Sequence, residues 1–130
     1  MNEGRTVVST SAAPAAIGPY SQAIVAGNLV FCSGQIPLSP ETGQIVGAGD
    51  IAAQTEQVMK NLSAVLTAAG CGFEQVVRCT IYLASMSDFA TVNGIYGRFF
   101  PSNPPARTTI QAAGLPRGAL VEIDAIAVRS

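Results

Sequence analysis

The sequence contains no histidine. Zinc sites and Ser–His or Cys–His triads therefore lack their usual member, and histidine general acid–base chemistry is excluded. Any catalysis falls to carboxylates, hydroxyls, thiols, arginine, tyrosine, backbone groups or ordered water. Lysine occurs once, at Lys60, and the net charge is −1. No basic run is present to bind nucleic acid or an anionic membrane. No apolar run approaches the roughly 18–20 residues of a membrane span, and the opening MNEGRTVVST lacks the apolar stretch of a signal peptide. A soluble, cytoplasmic protein is expected. The three cysteines, Cys32, Cys71 and Cys79, show no C-x-x-C spacing and read as buried, reduced thiols. P-loop, dinucleotide, metal-box and nucleophile-elbow patterns are all missing. Charged residues make up only 12% of the chain, against about 25% in typical soluble domains. So thin a charged coat points to surface buried by self-association.

What is present fits one domain over residues 1–130. Thr6–Thr10 reads as a first strand and residues 11–22 as a loop rich in small residues and proline. Gly27–Asn28 between Ala23–Ala26 and Leu29–Ser33 predicts a hairpin with a type II′ turn. Asp50 caps a helix whose apolar positions Ile51, Val58, Met59, Leu62, Val65, Leu66 and Ala69 form one stripe. Gln54, Glu56, Gln57, Lys60 and Asn61 are assigned to its solvated face. Gln75–Ala84 alternates with period two, Val77, Cys79, Ile81 and Leu83 on one face. Ser85 with Asp88 suggests a capping box opening a second helix through Phe89, Val92, Ile95, Tyr96 and Phe99. A strand follows Pro104–Pro105, and Ala119–Val128 is the last. The order predicts an α+β fold, with two helices on one face of a mixed sheet and another subunit covering the other.

Candidate functional residues are few. Arg107 follows two prolines at the mouth of a β-branched strand, where a guanidinium suits either a carboxylate or phosphate grip or a structural ion pair. Thr109 shares its strand face. Glu122 and Asp124, two apart, share a face about 7 Å from each other. Tyr20 follows Gly18–Pro19 on a constrained loop, and is either a lid on the core or a pocket wall. Ser33 ends a strand, and Asn93 lies at the edge of an apolar stripe. The residues alone support a small-anion site with a carboxylate nearby.

Five blocks extend this reading. Ala15–Ala23 (AAIGPYSQA), Ser33–Pro37 (SGQIP), Asp88–Asn93 (DFATVN), Pro105–Arg107 (PAR) and Val121–Ala127 (VEIDAIA) resemble, in order and spacing, the signatures of the Rid family of enamine/imine deaminases, also called the YjgF/YER057c/UK114 family. The resemblance spans nearly the whole chain. It implies a chorismate-mutase-like subunit, a homotrimer with clefts between neighbours, and no cofactor or metal. It also implies hydrolysis of 2-imino acids such as 2-iminobutanoate and 2-iminopropanoate to 2-keto acids and ammonia, protecting pyridoxal-phosphate enzymes from damage.

Carried over residue by residue, Arg107 would grip the substrate carboxylate and Glu122 would orient the attacking water. Tyr20, Ser33, Asn93 and Thr109 would line the cleft. Thr109 departs from the Cys of many relatives, which removes any thiol role there but leaves attack by water intact. Two alternatives stay open. One is a sister enzyme acting on another enamine, such as an aminoacrylate of pyrimidine breakdown. The other is a non-catalytic carboxylate-binding, chaperone-like or RNA-acting module.

Overall fold

A computed structural model describes residues 4–130. Its strands are β1 (Arg5–Val8), β2 (Ala23–Ala26), β3 (Leu29–Gln35), β4 (Val76–Leu83), β5 (Ala106–Gln111) and β6 (Val121–Val128); its α-helices are α1 (Ile51–Ala68) and α2 (Phe89–Arg98). They form one six-stranded mixed sheet in the order β1-β2-β3-β6-β4-β5. Among the described residues only the β4–β5 pair is parallel, and α2 forms the crossover it requires. The expected α+β architecture is present.

The hairpin turns at Gly27, whose φ of 61° fits the first central position of a type II′ turn. Asp50 caps α1 by accepting a hydrogen bond from the Ala53 N–H at 3.1 Å. The stripe Val58, Met59, Leu62, Val65 and Leu66 is fully buried against the inner face of β6, formed by Val121, Ile123, Ala125 and Ala127. Both helices lie on this one side. The opposite sheet face is uncovered and carries Val7, Leu29, Phe31 and Ile110 as exposed large apolar residues. No helix of the described residues is long and apolar enough to cross a membrane.

Several expectations need correction. The first strand spans Arg5–Val8, earlier than its β-branched run suggested, because Thr10 leaves the ladder and gives its N–H to the Gln22 side chain at 2.7 Å. A bulge at Val77 breaks the alternation of β4, so Val76 is buried and Val77 exposed. Ser85 accepts from the Ser87 N–H and caps a single 3-10 turn (Met86–Asp88), and α2 begins only after it.

The largest correction concerns α1. Gln54 and Asn61, assigned to its solvated face, are each 1% exposed. Asn61 donates to the carbonyls of Ile36 (3.1 Å) and Leu38 (2.9 Å) and accepts from Gln57 at 2.9 Å. Gln54 donates to the Gly47 carbonyl at 3.1 Å and accepts from the Leu120 N–H at 2.8 Å. Gln22 ties the carbonyls of Thr10 and Pro14. Three buried amides thus satisfy backbone groups of chain that has no ladder of its own. Asn61→Ala leaves the buried Leu38 carbonyl without a donor, while the Ile36 carbonyl keeps the Leu38 N–H, and is expected to lower stability by about 1–3 kcal/mol. A urea midpoint that falls at unchanged slope would register this.

Candidate active site

β5 starts straight after Pro104–Pro105, which hold the approach extended. Arg107 pairs in register with Cys79, and Cys79 with Ala125, so its side chain faces the helices. There α2 meets it with Phe89, Asn93 and Tyr96, at i, i+4 and i+7 on one helical stripe. The Arg107 Nη1 donates to Asn93 Oδ1 at 2.6 Å. Its guanidinium carbon lies 5.6 Å from the Phe89 ring centroid and 5.2 Å from that of Tyr96. No carboxylate lies within ion-pair distance of Arg107 among the described residues, where the one salt bridge joins Arg98 and Glu56. The ion-pair alternative therefore has no partner among the described residues. Arg107 and Asn93 open, with Gly97 and Pro104, onto a surface groove of about 440 Å³.

Glu122 lies on the other side of the sheet. It pairs with Tyr82, and Tyr82 with Ile110, on the face that carries no helix. Its position depends on a second irregularity. Between Cys32 and Gln35, β3 spends one residue more than β6 does between Ala125 and Ile123. This bulge turns Gly34 toward Glu122, and a Cβ at Gly34 would overlap the Glu122 carboxylate. Glycine is needed there for close approach, not for an unusual φ. Glu122 shares a cavity of about 500 Å³ with Tyr20, Ser33, Ile17, Ile36 and Arg117. Burial pushes its carboxyl above the ordinary value, and the neighbouring Asp124 carboxylate pushes the same way. Asp124 accepts from the Thr80 N–H and the Tyr82 hydroxyl, both at 3.0 Å. Glu122 has no such donor among the described residues, which leaves its oxygens free for a water or ligand.

The remaining candidates are held as follows. Tyr20 is half exposed and accepts from the Ile17 N–H at 3.2 Å, so it braces its own loop and walls the cavity. Ser33 donates to the Ser21 carbonyl at 2.6 Å. Thr109 lies beyond Arg107 on the helix side, with its hydroxyl sealed and without a hydrogen-bond partner. The Tyr96 hydroxyl is likewise unpartnered, with the Cys79 thiol beside it as a weak neighbour, and burial pushes this phenol upward. Burial first of all lifts Cys32 to about 12 and Cys79 to about 11, so both are inert as thiolates at neutral pH.

The six candidates thus form two groups within one chain. Arg107, Asn93 and Thr109 lie on the helix side near the β5 edge; Tyr20, Ser33 and Glu122 line the cavity at the other. Phe89 and Tyr96 were read only as core stripe. Their spacing from Asn93 is the signal that could have joined them to Arg107.

A family model described as Endoribonuclease L-PSP matches residues 10–129. The chain is 57% identical over 126 residues to Protein DfrA of Myxococcus xanthus, covering 95% of each chain. It is 51% identical to the 2-iminobutanoate/2-iminopropanoate deaminase of Mus musculus, covering 96% of this chain and 92% of that one. The crystal structure of E. coli TdcF with bound serine superposes with a TM-score of 0.91 at 40% identity, covering 96% of this chain and 99% of that one.

Proposed function

The chain belongs to the Rid family, that of the matching endoribonuclease L-PSP model, and on that premise we propose that it hydrolyses 2-imino acids to 2-keto acids and ammonia. The observation that carries this is the Arg107 guanidinium, without an ion pair among the described residues and steadied by Asn93, in a chain about half identical to 2-iminobutanoate/2-iminopropanoate deaminases. Arg107 binds the substrate carboxylate through two parallel hydrogen bonds. Glu122 orients a water toward C2 of the protonated imine and takes its proton as the C–O bond forms. The resulting carbinolamine takes that proton back from Glu122 onto its nitrogen, and as its hydroxyl gives up a proton to Glu122 the C–N bond breaks, releasing ammonia and leaving the 2-keto acid. Tyr20, Ser33, Asn93 and Thr109 line the cleft. Intercepting such imines protects pyridoxal-phosphate enzymes.

One copy of the chain cannot bring Arg107 and Glu122 together, because they project from opposite faces of its sheet. We therefore place the site between copies, with each cleft of a homotrimer taking Arg107 from one subunit and Glu122 from its neighbour. The exposed Leu29, Phe31 and Ile110 on the uncovered face support that assembly.

Complementation tests the whole reading. Arg107→Ala and Glu122→Gln, each inactive alone, are co-expressed and assayed on 2-iminobutanoate generated in situ by an amino-acid oxidase. Random mixing leaves about one cleft in four with both native groups, so activity near a quarter of wild type is expected. No recovery over the separate variants would refute the shared cleft. A wild type no faster than buffer would refute the deaminase. Tight binding of 2-ketobutanoate without turnover would mark a carboxylate-binding module instead. The net charge of −1 and single lysine disfavour an RNA substrate.

A further inference from the structure

The groove around Arg107 holds more than an anchor. Phe89 and Tyr96 stand two helical turns apart on α2, about 10.5 Å along its axis. The guanidinium carbon of Arg107 lies near the midpoint, 5.6 Å from one ring centroid and 5.2 Å from the other. Asn93 lies between them in sequence, and its Oδ1 accepts a hydrogen bond from Arg107 Nη1 at 2.6 Å. Tyr96 is itself held, 4% exposed, with its ring 4.7 Å from that of Phe100. Phe89 is partly exposed and has no other aromatic neighbour in contact.

We infer that Phe89 and Tyr96 are positioning residues, clamping the Arg107 guanidinium between two aromatic faces so that it meets a carboxylate already oriented. The inference rests on the reading of Arg107 as carboxylate anchor. A free arginine side chain samples many rotamers and must freeze on binding; one held between ring faces and tied by an amide has lost that freedom beforehand. The partial negative charge of each ring face opposes the guanidinium's positive charge, so the clamp needs no carboxylate. A carboxylate in that place would compete with the substrate. The structure gives Arg107 rings and an amide oxygen, which steady it while no carboxylate among the described residues compensates its charge.

The test uses Phe89→Leu, which keeps apolar bulk and removes the ring, and Phe89→Tyr, which restores it. The probe is 2-ketobutanoate, with binding read by calorimetry and imine turnover measured in parallel. Phe89→Leu is expected to weaken binding roughly 3- to 30-fold, the range of one cation–π contact. The loss falls on KM rather than kcat, and Phe89→Tyr restores it. The Nε–H proton of Arg107, read by nuclear magnetic resonance, is expected at a ring-shifted position in wild type and nearer its ordinary position in Phe89→Leu, with or without ligand. Unchanged binding in Phe89→Leu, or an Arg107 proton with no ring shift in wild type, overturns the clamp. If Arg107→Ala binds the probe as wild type does, the anchor reading fails instead. The ring shift still decides whether the clamp exists.

Discussion

Arg107→Ala is expected to lose about 10²- to 10⁴-fold in kcat/KM, since two charge-assisted hydrogen bonds to a carboxylate are each worth about 1.5–3 kcal/mol. Arg107→Lys should recover only part of this. An ammonium keeps the positive charge, but it has neither the planar fork that grips two oxygens nor the flat face that rests between Phe89 and Tyr96. Both variants are expected to stay folded, with a modest loss of melting temperature from the Asn93 hydrogen bond and the ring contacts and none from an ion pair, since Arg107 has none among the described residues. Steady-state kinetics on 2-iminobutanoate with thermal melts give the check. Either variant within threefold of wild type in kcat/KM would remove Arg107 from the site.

Glu122→Gln should lose about 10²- to 10⁴-fold in turnover, the usual contribution of a positioned general base. It should still bind 2-ketobutanoate. Gly34→Ala is expected to mimic it, because the added Cβ takes the space of the carboxylate. The pH dependence has a definite sign. Burial, then Asp124, raise the folded pKa of Glu122 above its unfolded value. Wild-type activity should therefore fall on the acid side at a pH above the ordinary glutamate value. The folded state also binds this proton more tightly than the unfolded state, so stability from Glu122 is full below the unfolded pKa. It is lost as pH rises through the raised folded value. Glu122→Gln should then be more stable than wild type at neutral pH, with the gain disappearing in acid. A stability difference between variant and wild type that is the same at both pH values, or an activity profile with no acid limb, would contradict the assignment.

The periodicities carried most of the fold. Strict alternation in Val121–Val128 sorted Glu122 and Asp124 from the core face, and the stripe of α1 identified the residues packed on it. Local patterns failed where a distant partner decides. Gln54 and Asn61 are polar at polar-face spacing, yet they are buried because loop carbonyls need their amides. The bulge at Ser33–Gly34 leaves no mark on hydrophobic periodicity, since both residues are small. Alternation also placed Thr109 beside Arg107, but could not tell that Glu122 faces away from both. That relation depends on β6 lying between β3 and β4, a long-range pairing no local window contains.

The same pairing has a consequence for how the chain becomes a protein during synthesis. β6 follows every other strand in sequence, yet it is the seam between β1–β2–β3 and β4–β5. Until its residues leave the ribosome, the first three strands and the later pair have no common ladder, and α1 has only β3 and lacks the larger part of the floor for its apolar stripe. The chain must therefore be held open through most of its translation, with two unpaired strand edges and much of its core in water. Closure on β6 is then abrupt, and the strand that completes the sheet is also the one that carries Glu122 into position.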